Sequence, residues 1–198
     1  MGAAPKDGRA ARSYRARLAL AEALLDLVNE GIEQPTAVQI AERAKVSLRL
    51  VFHHFEDLEA IYASAADLQI ERVSAMVKGI DPALPLDDRI QAFVRTRARV
   101  LEYVTLARRA SIRLENSSPE ISRRLKLGQE MTRAHTFQTF DPELRPLSGD
   151  DAVEVRAALD GVTSWEMWEF LRHRAELPVK QSVRIVERMI RTTLKGVK

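Results

Sequence analysis

Apolar residues in this chain recur at helical spacing almost throughout, and that property narrows the possible folds more than any other. Leu18, Ala21, Leu25, Val28 and Ile32 form one stripe of an α-helix, while β-branched and aromatic residues are scattered instead of clustering into strand-like runs. The pattern predicts an all-α chain of about nine helices. With 45% of its 198 residues apolar, the chain has the material for a real core. The first helix is expected over 12–30, with Gly31 ending it in a left-handed turn. Thr36 is placed to cap a second helix over 37–43, Ser47 to cap a third running through about Phe55, and Asp57 or a neighbour to start a long fourth one to about Lys78. Gly79, Pro82 and Pro85 interrupt the pattern, and further helices are expected near 87–104, 107–115, 118–139, 149–174 and 178–196. The organisation implied is an N-terminal helical unit over residues 1–57 and a larger helical domain over 58–198.

Several function classes are disfavoured at this stage. The chain has no cysteine, so it has no disulfide framework, thiolate metal site or cysteine nucleophile, as suits a cytoplasmic protein. No window approaches 18 apolar residues, and the basic N-terminus lacks the apolar stretch of a signal peptide, so neither a membrane nor secretion is expected. The net charge is +3, with a pI of about 9.4, and it is unevenly placed. Lys6, Arg9, Arg12, Arg15 and Arg17 face only Asp7, whereas residues 18–60 carry Arg43, Lys45 and Arg49 against an acidic majority. The distribution describes a basic arm directed at an anionic partner. A second run, Arg89, Arg95, Arg97, Arg99, Arg108, Arg109 and Arg113 against Glu102, is expected to be a solvated helix face.

The stretch VFHHFEDLEAIY (51–62) sets His53 and His54 side by side. Adjacent helical residues point about 100° apart, so the two cannot ligate one ion from the same face. No metal, cofactor or catalytic group is expected there, and no acid/base cluster is evident near His135 or Glu166. A helix-turn-helix fits better. In TAVQIAERAKVSLRLVFHHF, Ile40, Ala41, Ala44, Val46 and Val51 fall where two short crossing helices need buried positions, and Leu48, Arg49 and His53 point outward, able to enter a major groove.

Thr36, IAERA at 40–44, VS at 46–47 and FHHF at 52–55 together resemble the N-terminal domain of tetracycline-repressor (TetR) family transcriptional regulators, over residues 18–62. The resemblance implies that Thr36 caps its helix against a phosphate of double-stranded DNA. It further implies that Leu48, Arg49 and Leu50 face bases, that Phe52 and His53 lie along the backbone, and that His54 turns inward. Arg12, Arg15, Lys45 and Ser47 complete the expected DNA-binding set. Three positions depart from the family pattern: Lys45 where glycine is usual at the turn, Phe52 where tyrosine is usual, and Leu58 where a lysine is usual. A left-handed Lys45 would carry strain on the order of 1 kcal/mol.

Family members use the C-terminal domain to dimerise and to hold an inducer. The last helix is apolar over a broad sector, and with Gly161 in the preceding one it suggests a homodimer interface through Gly161, Val183, Val186 and Ile190. Bulky or polar residues on apolar faces, namely Phe93, Tyr103, Met131, His135, Trp165 and Trp168, are candidates for a small-molecule pocket. The function expected is a dimeric, ligand-responsive repressor that binds a palindromic operator, is released by a small-molecule inducer and is not an enzyme. The alternative is a helix-turn-helix protein without an inducer, controlled by a protein partner or structural on DNA.

Overall fold

A computed structural model describes residues 8–195, and among them it contains ten α-helices, one π-helical segment and no strand. The helices are α1 (Gly8–Asn29), α2 (Ala37–Arg43), α3 (Leu48–His54), α4 (Leu58–Met76), α5 (Leu86–Ile112), α6 (Pro119–Thr139), α7 (Asp141–Leu144), α8 (Gly149–Val162), α9 (Trp165–Glu169) and α10 (Val179–Lys195), with the π-helical segment Phe170–Arg174 following α9. None of the described helices is long and apolar enough to cross a membrane.

Two compact units are present, and they do not follow chain order. Residues 8–75 pack with Leu106–Leu127, and Met76–Thr105 packs with 128–195. The single division expected between residues 57 and 58 is therefore corrected. The cause is the apolar face of α4, where Ile61, Tyr62, Ala65 and Leu68 join the same core as α1. In the first unit Leu20, Leu24 and Val28 of α1 meet Ile40 and Ala41 of α2, Val51 of α3, Phe55, and Ala107, Ala110 and Ile121. Val51 is fully buried and anchors α3. Burying such a side chain stabilises by roughly 1.5–3 kcal/mol. Ion pairs Arg43–Glu30, Arg72–Glu22 and Arg113–Glu33 decorate the rim of this unit, each at 2.5 Å and partly exposed. Their individual contribution is small.

In the second unit Ile90, Phe93, Val94 and Leu101 of α5 pack with Phe140, Leu144, Leu159, Trp168, Val186 and Ile190. Three sequence expectations change here. The helices expected at 87–104 and 107–115 are one continuous α5, because the Thr105 hydroxyl donates back to the Leu101 carbonyl at 2.6 Å and does not break the helix. The helix expected over 149–174 is broken instead. Thr163 Oγ1 donates to the Leu159 carbonyl at 2.8 Å, and Ser164 caps α9 by accepting the Met167 amide at 3.1 Å, so the two hydroxyls end one helix and begin another. The Ala175 amide then bonds the Phe170 carbonyl at 2.9 Å, which is the i→i+5 pattern of the π-helical segment. Finally, α7 lies in a stretch expected to be loop, with Pro142 in its first turn.

The expected dimer residues fare unevenly. Val186 and Ile190 are 2% and 0% exposed, filled in by their own unit's core, and so cannot form a face between chains. Val183 is half-buried and Gly161 is exposed. One apolar surface that this unit leaves open lies on α8, where Val153 is 68% exposed and Ala157, Ala158 and Gly161 are exposed beside it; Leu84 and Phe170 are exposed elsewhere in the unit.

Candidate nucleic-acid interface

Helix α1 begins at Gly8, earlier than expected, because Ala10, Ala11 and Ala16 favour helix among the arginines. Arg9, Arg12, Arg15 and Arg17 are therefore helical and exposed, while Lys6 and Asp7 lie outside the described residues. Arg17 has an internal task. Its guanidinium donates to the His54 carbonyl at 2.7 Å and lies 4.3 Å from the centre of the Phe55 ring, so it closes the C-terminal end of α3, where a cation is favourable. Arg15 Nε donates to the Ala11 carbonyl at 3.3 Å.

Helix α2 starts with a reciprocal cap. Thr36 Oγ1 accepts the Gln39 amide at 3.3 Å, and Gln39 Oε1 accepts the Thr36 amide at 2.9 Å. The Thr36 hydroxyl also donates to Gln39 Oε1 at 3.1 Å, so its own proton is committed within the protein and is not offered to a phosphate. The helix ends in a Schellman turn, with the Val46 amide on the Ala41 carbonyl at 3.0 Å and the Lys45 amide on the Glu42 carbonyl at 3.1 Å. Lys45 has φ 56°. An L-residue in that conformation costs about 1–2 kcal/mol, which glycine would avoid. Ser47 then caps α3 by accepting the Leu50 amide at 3.2 Å.

Within α3 the burial is sharply one-sided. Leu48, Arg49, Phe52 and His53 are all exposed, spanning about 140° of the helix circumference, while Val51 is buried and Leu50 and His54 are half-buried. The exposed sector contains Leu48 and Phe52 at i, i+4, the latter 52% exposed, an unusual apolar pair to leave in water. His53 stands outside. His54 packs back toward α1, with Nδ1 at 3.5 Å from Ser13 Oγ, and burial, then the His53 ring, then Arg17 hold its pKa below the ordinary histidine value. The side chains of Arg12, Lys45 and Arg49 make no hydrogen bond or ion pair among the described residues. Arg43 is committed to Glu30, at 2.8 and 2.5 Å.

No family model and no curated protein matches this sequence. Solved structures do. A protein of Mesorhizobium loti MAFF303099 assigned to the TetR family of transcriptional regulators superposes with a TM-score of 0.66 at 19% identity, over 93% of this chain and 98% of that one. A protein of Pseudomonas aeruginosa PAO1 assigned as a transcriptional regulator gives 0.64 at 22% identity over 92% of each chain. The multidrug binding protein EbrR, in complex with imidazole, gives 0.56 at 19% identity over 88% of this chain and 94% of its own. The chain has the TetR-type regulator fold.

In the second unit the expected ligand residues gather only in part. Phe93 is fully buried and stacks on His135, with ring centres 5.2 Å apart and planes 27° apart. Trp165 and Trp168 come together on α5 instead, and their indole donors are occupied. Trp165 Nε1 donates to Thr105 Oγ1 at 3.2 Å, and Trp168 Nε1 to Glu102 Oε1 at 2.8 Å. Arg172 Nε shares that Glu102 oxygen at 2.9 Å, so the tryptophans are tied into the core and not held ready for a ligand. Tyr103 and Met131 are half-buried and share no hydrogen bond or ring contact with this group.

Sequence reasoning missed the two buried members of the arginine run, Arg89 and Arg97, which are 3% and 5% exposed. Their spacing held the signal. Arg89, Phe93 and Arg97 fall at i, i+4 and i+8, on the same stripe as Ile90, Val94 and Leu101, so the phase of α5 turns both arginines inward. Arg97 Nη2 donates to the Thr132 carbonyl at 2.9 Å and to Thr136 Oγ1 at 3.1 Å, and its guanidinium lies 4.9 Å from the centre of the Phe93 ring. Burial draws its pKa down to about 10. His135 is pushed down to about 4 by burial and by the Arg97 charge, against a hydrogen bond to the Lys78 backbone that favours its protonated form. Among the described residues no group of three or more histidines and carboxylates is placed to hold a metal ion.

Proposed function

We propose that this protein is a dimeric, ligand-responsive transcriptional regulator that binds a palindromic DNA operator through α3 and is released from it by a small molecule. The observation that carries the reading is the exposed sector of α3, fixed at its start by the Schellman turn and Ser47 and at its end by Arg17. A short helix so held, with its polar and apolar outward groups uncommitted, suits insertion into a major groove. Arg49 offers two parallel donors for guanine O6 and N7, and Leu48 and Phe52 suit thymine methyl groups and sugars. Arg12 and Lys45 supply phosphate neutralisation without sequence preference.

The dimer is built on α8 and the neighbouring edge of α10, through Val153, Ala157, Gly161 and Val183. These residues are small enough to let helices approach closely, and a two-fold pair would present two α3 helices to two half-sites. The multidrug binding protein EbrR, which shares this fold, holds imidazole in its crystal, and that supports a ligand-responsive C-terminal unit. A DNase footprint on DNA flanking the protein's own gene, run at two salt concentrations, tests the reading. Protection of a palindrome with half-sites about one helical turn apart, weakening as salt rises, is the expected result. Protection indifferent to sequence overturns it.

A further inference from the structure

The two buried arginines of α5 are provided for very differently. Arg89 donates to Glu143 at 2.7 and 2.5 Å, to the Thr139 carbonyl at 2.9 Å and to the Leu84 carbonyl at 2.9 Å, so its charge and its fork are both answered. Arg97 is as deeply buried and meets only neutral acceptors. Its Nε has no hydrogen-bond partner. Asp160, the nearest acid to act on it, is committed to Arg133 at 2.9 and 2.7 Å. Arg97 is thereby left without an ion pair of its own. Beside it, His135 Nε2 is a second buried polar atom without a partner.

A buried cation without an ion pair and two orphaned polar atoms in one neighbourhood are costly for a fold to maintain. We propose that Arg97 and His135 form the anchor for a small hydroxy-monocarboxylate, with Arg97 Nε donating to a carboxylate oxygen, His135 Nε2 accepting from the hydroxyl of the same molecule, and the apolar body of that molecule lying against Phe93. A carboxylate supplies the ion pair that Arg97 lacks among its protein partners. Both orphaned atoms are shut off from solvent, so entry requires α5 and α6 to part locally between Phe93, Arg97 and His135. Occupancy is thereby tied to a change of packing, as a ligand that shifts a conformational equilibrium requires. This names the class of ligand for the regulator reading and rests on it only for the effect on DNA.

The test is isothermal titration of the full chain with 3-hydroxybenzoate and 6-hydroxyhexanoate, and with the corresponding hydroxy-amides as neutral counterparts of the same shape. The acids are expected to bind at least tenfold more tightly than the amides. Arg97→Lys, which keeps a charge and loses the Nε donor, and Arg97→Gln are each expected to lose tenfold or more for the acids while leaving the amides unchanged. Equal binding of acids and amides, acid binding undiminished in either variant, or no acid binding at 10 mM overturns the proposal. The acid-to-amide ratio of the unaltered protein decides the matter even if a variant does not fold. Acids that bind without changing the footprint would leave this site standing and remove ligand control from the regulator reading, whereas a sound palindromic footprint without acid binding would do the reverse.

Discussion

Acidification should destabilise the second unit through one histidine. His135 is held near a pKa of about 4 in the folded protein, against about 6.5 for an unrestrained imidazole. As pH falls through 6.5 the unfolded chain takes up a proton that the folded chain refuses, so stability is lost between about pH 6.5 and pH 4 and no further below that. The gap converts, at about 1.4 kcal/mol per pH unit, to about 3 kcal/mol in full, and to about 2 kcal/mol already at pH 5. His135→Phe keeps a ring to stack on Phe93 and removes the titrating group. Urea unfolding followed by tryptophan fluorescence isolates the effect, because Trp165 and Trp168 both lie in the second unit. Carboxylates held low by an arginine, such as Asp87 beside Arg191, also lose stability in acid, but they are common to both proteins. The variant should therefore lose about 2 kcal/mol less than the parent between pH 8 and pH 5. An identical loss in the two proteins would refute the assignment of this burden to His135.

Other substitutions separate folding from binding. Lys45→Gly should raise stability by about 1 kcal/mol by relieving the left-handed lysine, and should at the same time weaken DNA binding and lower its salt dependence; thermal melting and a salt series of DNA titrations read the two. Arg49→Ala should cost about 1–3 kcal/mol on the operator and little on unrelated DNA, measured by competition binding, and an equal loss on both would reduce Arg49 to a phosphate contact. If the proposed α8 dimer forms, Val153→Glu should give a monomer in sedimentation without lowering helical content, since the residue touches little within its own unit. Arg97→Met should raise the melting temperature of the ligand-free protein, because an apolar side chain of similar length replaces a buried charge without a close counter-ion.

The N-terminal unit was legible because its instructions are local. Thr36 and Ser47 announce two helices from their own positions, and the buried residues Ile40, Ala41 and Val51 repeat at spacings a reader can count. The reciprocal cap from Gln39 was equally local and still went unread in TAVQ. Arg17 was hidden for a different reason, since its partner His54 lies 37 residues away and nothing in the arm distinguishes it from Arg15. In the second unit, the density of charge along α5 suggested a wet face, whereas the phase of Arg89 and Arg97 relative to Phe93 decided otherwise. The burial of the α10 residues was hidden by the same shortcut. The most apolar positions of α10, Val186 and Ile190, serve the chain's own core, and the surface left open on α8 is made of residues too small to stand out by hydropathy.

The seven residues of α3 owe their shape to neighbours. An isolated helix of that length is marginal in water. Here one end is set by a turn that α2 closes and the other by a guanidinium that α1 extends. Anyone wishing to transplant this helix onto another scaffold in its present shape would fail with LRLVFHH alone, because the portable unit is the whole stretch from Ser13 to Phe55, in which α1 acts as the splint.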